Sequence, residues 1–146
     1  MLEIRNFKSY EEMKKAHQGD YDAFPLGFAF TKVQFDEIME NWGLSPETDL
    51  NKIAMLPQNI GYIRKADIPA FNEMLKRHKQ EKATFKENQS NIKAMLLNEM
   101  INREYIISGD LAEVLEAVGY TISDYAKSPT LQKAVNEART DYFSKY

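Results

Sequence analysis

The chain has 146 residues, 19 basic against 22 acidic side chains for a net charge of −3, 43% apolar residues and no cysteine. That length suits one domain of about 100–150 residues, and the apolar fraction is that of a folded chain rather than a disordered one. Without cysteine there is neither a disulfide scaffold nor thiolate chemistry, and the faint negative charge argues against a strongly basic nucleic-acid surface.

Taken in chain order, most of the punctuation is helical. Ser9 and Glu12 form a capping box that opens a short helix over residues 10–17, closed by Gly19 and Asp20. Pro25-Leu26-Gly27-Phe28-Ala29-Phe30 is too apolar and too short for a helix and reads as a buried strand. Thr31 with Gln34 is a second capping box, starting a helix whose Phe35, Ile38, Met39 and Trp42 follow helical spacing. Trp42 is therefore expected to be largely buried, and Gly43 stands at the C-cap. Ser45-Pro46-Glu47 starts another brief helix.

Residues 53–56 and 60–64 flank Pro57-Gln58-Asn59 as strand, turn and strand. With the earlier strand, and residues 2–4 as a further candidate, they make a small antiparallel sheet that needs helices over one face. Asp67 caps the next helix, with Phe71, Met74, Leu75 and His78 on one face and a charged end or linker over 76–91. An apolar helix then runs over 92–107, placed centrally in the domain. Asp110 and Glu113 cap a shorter helix, and Ser128-Pro129 opens the last one. The expected fold is one α+β domain over 1–146, mostly helical, with a small antiparallel sheet in the N-terminal half.

No segment nears the roughly 18 apolar residues of a spanning helix. The start, Met1-Leu2-Glu3-Ile4-Arg5-Asn6, lacks the basic and apolar regions of a signal peptide, so a cytoplasmic protein without membrane contact is expected. No catalytic signature is present, whether a nucleophile elbow, a phosphate loop or the paired histidines of a zinc protease. His78 and Glu81 stand one turn apart, but a single such pair is not the doubled set of a dinuclear carboxylate site and reads as a surface pair. No metal, cofactor or catalytic residue is assigned.

Two groups of residues remain as candidates. Lys76, Arg77, Lys79, Lys82 and Lys86 form a basic stretch that would meet phosphates if the protein bound nucleic acid, although a solvated helix face is favoured. Arg64, Lys65, His78, Glu104 and Tyr105 form a candidate polar cluster, functional if the side chains converge in an open pocket. In a structural role Arg64 instead pairs with Glu104 or Asp67, Tyr105 buries its ring with the hydroxyl satisfied, and His78 lies at the surface.

The motifs Phe28-Ala-Phe-Thr-x-x-Gln34-Phe35, Gly61-Tyr-Ile-Arg-Lys-x-Asp67 and Phe71-Asn-Glu-Met-x-x-Arg77-His78, then Asn102-x-Glu104-Tyr105 and Leu115-x-Ala117-x-Gly119, follow one another in an order that resembles a family of small phage and prophage proteins of Gram-positive bacteria. The resemblance runs from about Phe28 to the final helix. Members often carry histidine where this chain has Arg103, and more glycines before the aromatic residue at Tyr62. The family has no known activity, so the resemblance implies a genomic setting rather than a reaction. It favours a non-enzymatic accessory protein acting through host or phage protein partners in the host cytoplasm, and the central placement of the 92–107 helix favours a monomer over a homodimer. A nucleic-acid-associated protein, and a small-ligand binder or enzyme built on the polar cluster, are the alternatives.

Overall fold

The computed structural model describes residues 2–57 and 61–145. Its helices are α1 (Tyr10–Ala23), α2 (Lys32–Asn41), α3 (Ile68–Phe85), α4 (Gln89–Asn102), α5 (Tyr105–Ser108), α6 (Leu111–Val118), α7 (Ile122–Lys127) and α8 (Pro129–Lys145). The strands are β1 (Leu26–Gly27), β2 (Ile53–Met55) and β3 (Tyr62–Arg64), so the mostly helical α+β class read from the sequence is the class observed. The described residues fall into two compact units, one of residues 2–3, 17–57 and 61–79, the other of residues 4–16 and 80–145. Helices α1 and α3 contribute to both.

In the first unit the sheet order is β1-β3-β2, antiparallel throughout, with Leu26 opposite Ile63 and Ile53 opposite Arg64. Met39, Ile53, Leu56, Ile63 and Met74 are buried in this unit. Phe35 meets Tyr62 edge to face at 5.0 Å. The first strand keeps only the front of the expected run. Leu26 and Gly27 pair with β3, whereas Phe28 and Phe30 are exposed, Phe30 by 94%. Gly27 permits the close packing there, since a Cβ on it would stand 2.6 Å from Ile38 Cγ2. Trp42 is half-buried rather than enclosed, and the guanidinium of Arg64 sits 5.7 Å from its ring centroid. Residues 2–4 form no strand, and Gln58, Asn59 and Ile60 of the expected turn lie outside the described residues.

The second unit is a helical core around α4, which packs against α6 and α8. Ile92, Met95, Leu96 and Met100 make its buried stripe, met by Val114, Leu115, Val118, Leu131 and Val135. The helix expected over 92–107 is broken. Glu104 adopts a left-handed backbone (φ 49°), and α5 begins after it. Tyr105 thereby turns inward, its hydroxyl accepting from Arg139 Nη2 at 2.9 Å, while Ile106 N donates to the Tyr142 hydroxyl. These bonds compensate the left-handed residue, which carries a cost for any side chain with a Cβ.

The caps work largely as read. Ser9 Oγ accepts from Glu12 N, Asp110 from Glu113 N and Ser128 from Leu131 N. Thr31 accepts from Gln34 N, but the Gln34 side chain returns to Phe30 N, one residue early. A full capping box at Thr121 and Asp124 opens α7, a helix not anticipated from the sequence. Helix α1 runs through Gly19 to Ala23 instead of ending near residue 17. Among the described residues no helix is long and apolar enough to cross a membrane.

Candidate functional site

The extension of α1 matters because it carries Gln18, Asp20, Tyr21 and Asp22. In the first unit, Tyr21 packs edge-on to Phe71 of α3 at 6.2 Å, and Phe24 meets the same ring at 5.2 Å. These rings, with Leu26, Phe28, Leu56 and Leu75, line an open cleft of about 730 Å³ whose polar rim is Gln18 and Asp22. The Gln18 amide donates to Asp22 Oδ1 at 2.9 Å. Of the cleft's apolar walls, Phe28 is 59% exposed and Tyr21 37%. Exposed aromatic rings in the wall of an apolar cleft are the kind of feature that marks a contact surface.

Beside the cleft lies a buried polar group. His78 is 5% exposed, so its expected surface position is corrected. Its Nε2–H donates to Asp20 Oδ2 at 2.7 Å, and Arg77 Nη2 donates to the same oxygen at 2.6 Å. The His17 ring stacks on that of His78, with centroids 3.9 Å apart and planes 23° from parallel, and Tyr21 lies 5.5 Å from His78. Neighbouring residues 77 and 78 of one helix thus close on one carboxylate 57 residues earlier in the chain.

The stacking bears on metal binding. Imidazole lone pairs lie in the ring plane, so two near-parallel rings direct theirs side by side. A shared zinc needs both nitrogens to converge at about 2.0–2.1 Å, and one ring would first have to turn. Glu81, expected on the surface, is buried in the second unit. Its carboxylate accepts from Arg5 Nε at 2.8 Å, from Arg5 Nη2 at 3.0 Å and from Arg5 N at 2.9 Å. That bidentate pairing satisfies the carboxylate as a structural anchor for the chain before α1.

The candidate polar cluster is divided. Arg64, Lys65 and His78 belong to the first unit, Glu104 and Tyr105 to the second. Arg64 Nε donates to Asp67 at 2.7 Å, the structural pairing, and not to Glu104, whose side chain is exposed. Lys65 is exposed as well. Tyr105 has its ring buried and its hydroxyl satisfied, as a structural role requires.

The basic stretch is partly consumed. Arg77 is held by Asp20. Lys86 donates to Val118 O at 3.1 Å and lies over the Tyr120 ring at 4.5 Å, capping α6. Burial and the nearby Lys82 pull its pKa below the usual lysine value. Lys76, Lys79 and Lys82 are exposed, and Lys76 stands 3.7 Å from Glu73. Phosphate neutralisation would thus rest on three of the five basic residues, Lys76, Lys79 and Lys82.

The cleft was not found from the sequence. Its walls come from residues 18–28, 56–57 and 71–75, and only the apolar spacing of Phe71 and Leu75 pointed toward it. The chain belongs to DUF7659, a family of unknown function whose model matches residues 9–141. No curated protein and no solved structure matches it.

Proposed function

We propose that this member of the DUF7659 family is a non-enzymatic accessory protein that acts by docking on protein partners through the cleft of its first unit. The observation that supports this reading is the open, aromatic-lined cleft with Phe28 exposed at its edge. An apolar concavity with a small polar rim suits a partner's apolar side chains. The order of motifs resembling phage and prophage proteins supports a setting in the host cytoplasm.

The test compares capture from host lysate by the native protein and by a Tyr21→Ser, Phe28→Ser variant whose fold is verified by circular dichroism. A partner held by the native protein and lost by the variant is the expected result. Identical sets of captured proteins would overturn the reading.

A further inference from the structure

Resting on that reading, we infer that the segment seated in the cleft carries a cationic side chain, arginine or lysine, next to its apolar residues. Among the described residues, the walls combine the aromatic rings of Tyr21, Phe24, Phe28 and Phe71 with one carboxylate, Asp22, and no lysine or arginine. Asp22 is exposed, and its side chain accepts from the neutral Gln18 amide. A carboxylate bonded to a neutral donor keeps its full charge for an incoming cation. Aromatic faces attract the same cation through their quadrupoles, and hold the methylenes beside it by apolar contact.

The charge of the surroundings has the same sign. The first unit holds ten acidic and seven basic residues, so the chain's net −3 is the net charge of this unit, while the second balances twelve against twelve. A cationic segment is therefore drawn to the cleft and an acidic one repelled. An apolar segment with no charge would partly desolvate the rim carboxylate while leaving it only the neutral Gln18 donor, which costs affinity.

Three capped peptides of one sequence, Gly-Ser-Leu-X-Trp-Ser-Gly with X as arginine, glutamine or glutamate, provide the test by fluorescence anisotropy against the full chain. The expected order of affinity is arginine, then glutamine, then glutamate, with arginine about two- to fivefold tighter than glutamine. Asp22→Asn should bring the arginine peptide to the level of the glutamine peptide. Equal binding of arginine and glutamine peptides would overturn the inference and leave the cleft as a docking site. Tightest binding by the glutamate peptide would also overturn it. Binding by none of the three would overturn both the inference and the docking reading.

Discussion

Lys14 reaches Glu99 across 85 residues of sequence, its ammonium 2.7 Å from a carboxylate that stands in the buried stripe of α4. Arg103 Nε donates to the other oxygen at 3.2 Å, and continues to Glu113 through Nη1 at 2.6 Å. Helical spacing asks for an apolar residue at position 99, between Met95, Leu96 and Met100, so the acid there serves as a tie between the start of α1 and the core helix. Both cationic partners are over a third exposed, which limits the charge stranded if the tie is cut.

Glu99→Gln should therefore cost about 2 kcal/mol in urea denaturation at neutral pH, the scale of a hydrogen bond to a charged group. Burial pushes the Glu99 carboxyl up, but Lys14 and Arg103 outweigh it and hold its pKa below the usual value. A depressed carboxylate contributes fully above its unfolded pKa, about 4.3, and loses that contribution as the pH falls through the lower folded value. The variant should flatten the acid limb of the stability curve below that pH. An unchanged acid limb would show that Glu99 does not carry it.

Glu104 gives the opposite result. Its side chain is exposed and its backbone left-handed, so the charge matters little and the Cβ matters more. Glu104→Gln should change stability by under about 0.5 kcal/mol, as for an exposed site. Glu104→Gly should raise it by about 0.5–1 kcal/mol, because glycine adopts this conformation freely and the gain exceeds its added entropy in the unfolded chain. A loss of stability in the glycine variant would place an unseen role on the carboxylate.

The sequence revealed what depends on neighbours in the chain. Ser9, Thr31, Asp110 and Ser128 each cap the helix they were expected to open, because a cap needs only a side chain and an amide two or three residues on. Helix α1 outran its expected stop because one glycine costs a helix only about 1 kcal/mol, which the burial of neighbouring side chains offsets. Asp20 read as a terminator, since its partners, Arg77 and His78, lie nearly sixty positions away. Glu104 likewise gave no glycine or proline to mark the break after α4. Tyr105 and Arg139 impose it from 34 residues apart.

That contact is itself measurable. Arg139 Nε and Nη2 both donate to the Tyr105 hydroxyl, at 3.1 and 2.9 Å, while the hydroxyl of Tyr142 accepts from Ile106 N. Tyr105→Phe keeps the ring packed and removes the acceptor, so a loss of about 1–1.5 kcal/mol is expected. Tyr142→Phe should cost a similar amount, by leaving the Ile106 amide without its acceptor. If these bonds hold the break in place, amide exchange at Ile106 should quicken in the second variant more than in the first. Equal exchange in both would show that the α5 turn persists without them.

Two glycines differ in whether their place needs glycine at all. Gly19 lies inside α1, and a Cβ added to it would meet nothing within 4 Å, so Gly19→Ala should stabilise by about 0.8–1.0 kcal/mol through helix propensity alone. At Gly61 a Cβ would stand 2.7 Å from the carbonyl oxygen of Gly27 and 3.0 Å from two ring carbons of Phe28. The phenyl ring can turn aside, but the carbonyl belongs to β1, which pairs with β3 through Gly27 and Tyr62. Relief therefore requires the two-residue strand to move, opening the sheet edge beside the cleft. Gly61 also holds φ 157°, a backbone that residues with a Cβ rarely adopt, so Gly61→Ala should cost about 1–3 kcal/mol or more from overpacking and backbone strain together. Urea denaturation of the two alanine variants side by side checks the contrast, and a Gly61→Ala protein as stable as the native chain would show that neither the backbone at 61 nor β1 requires glycine there.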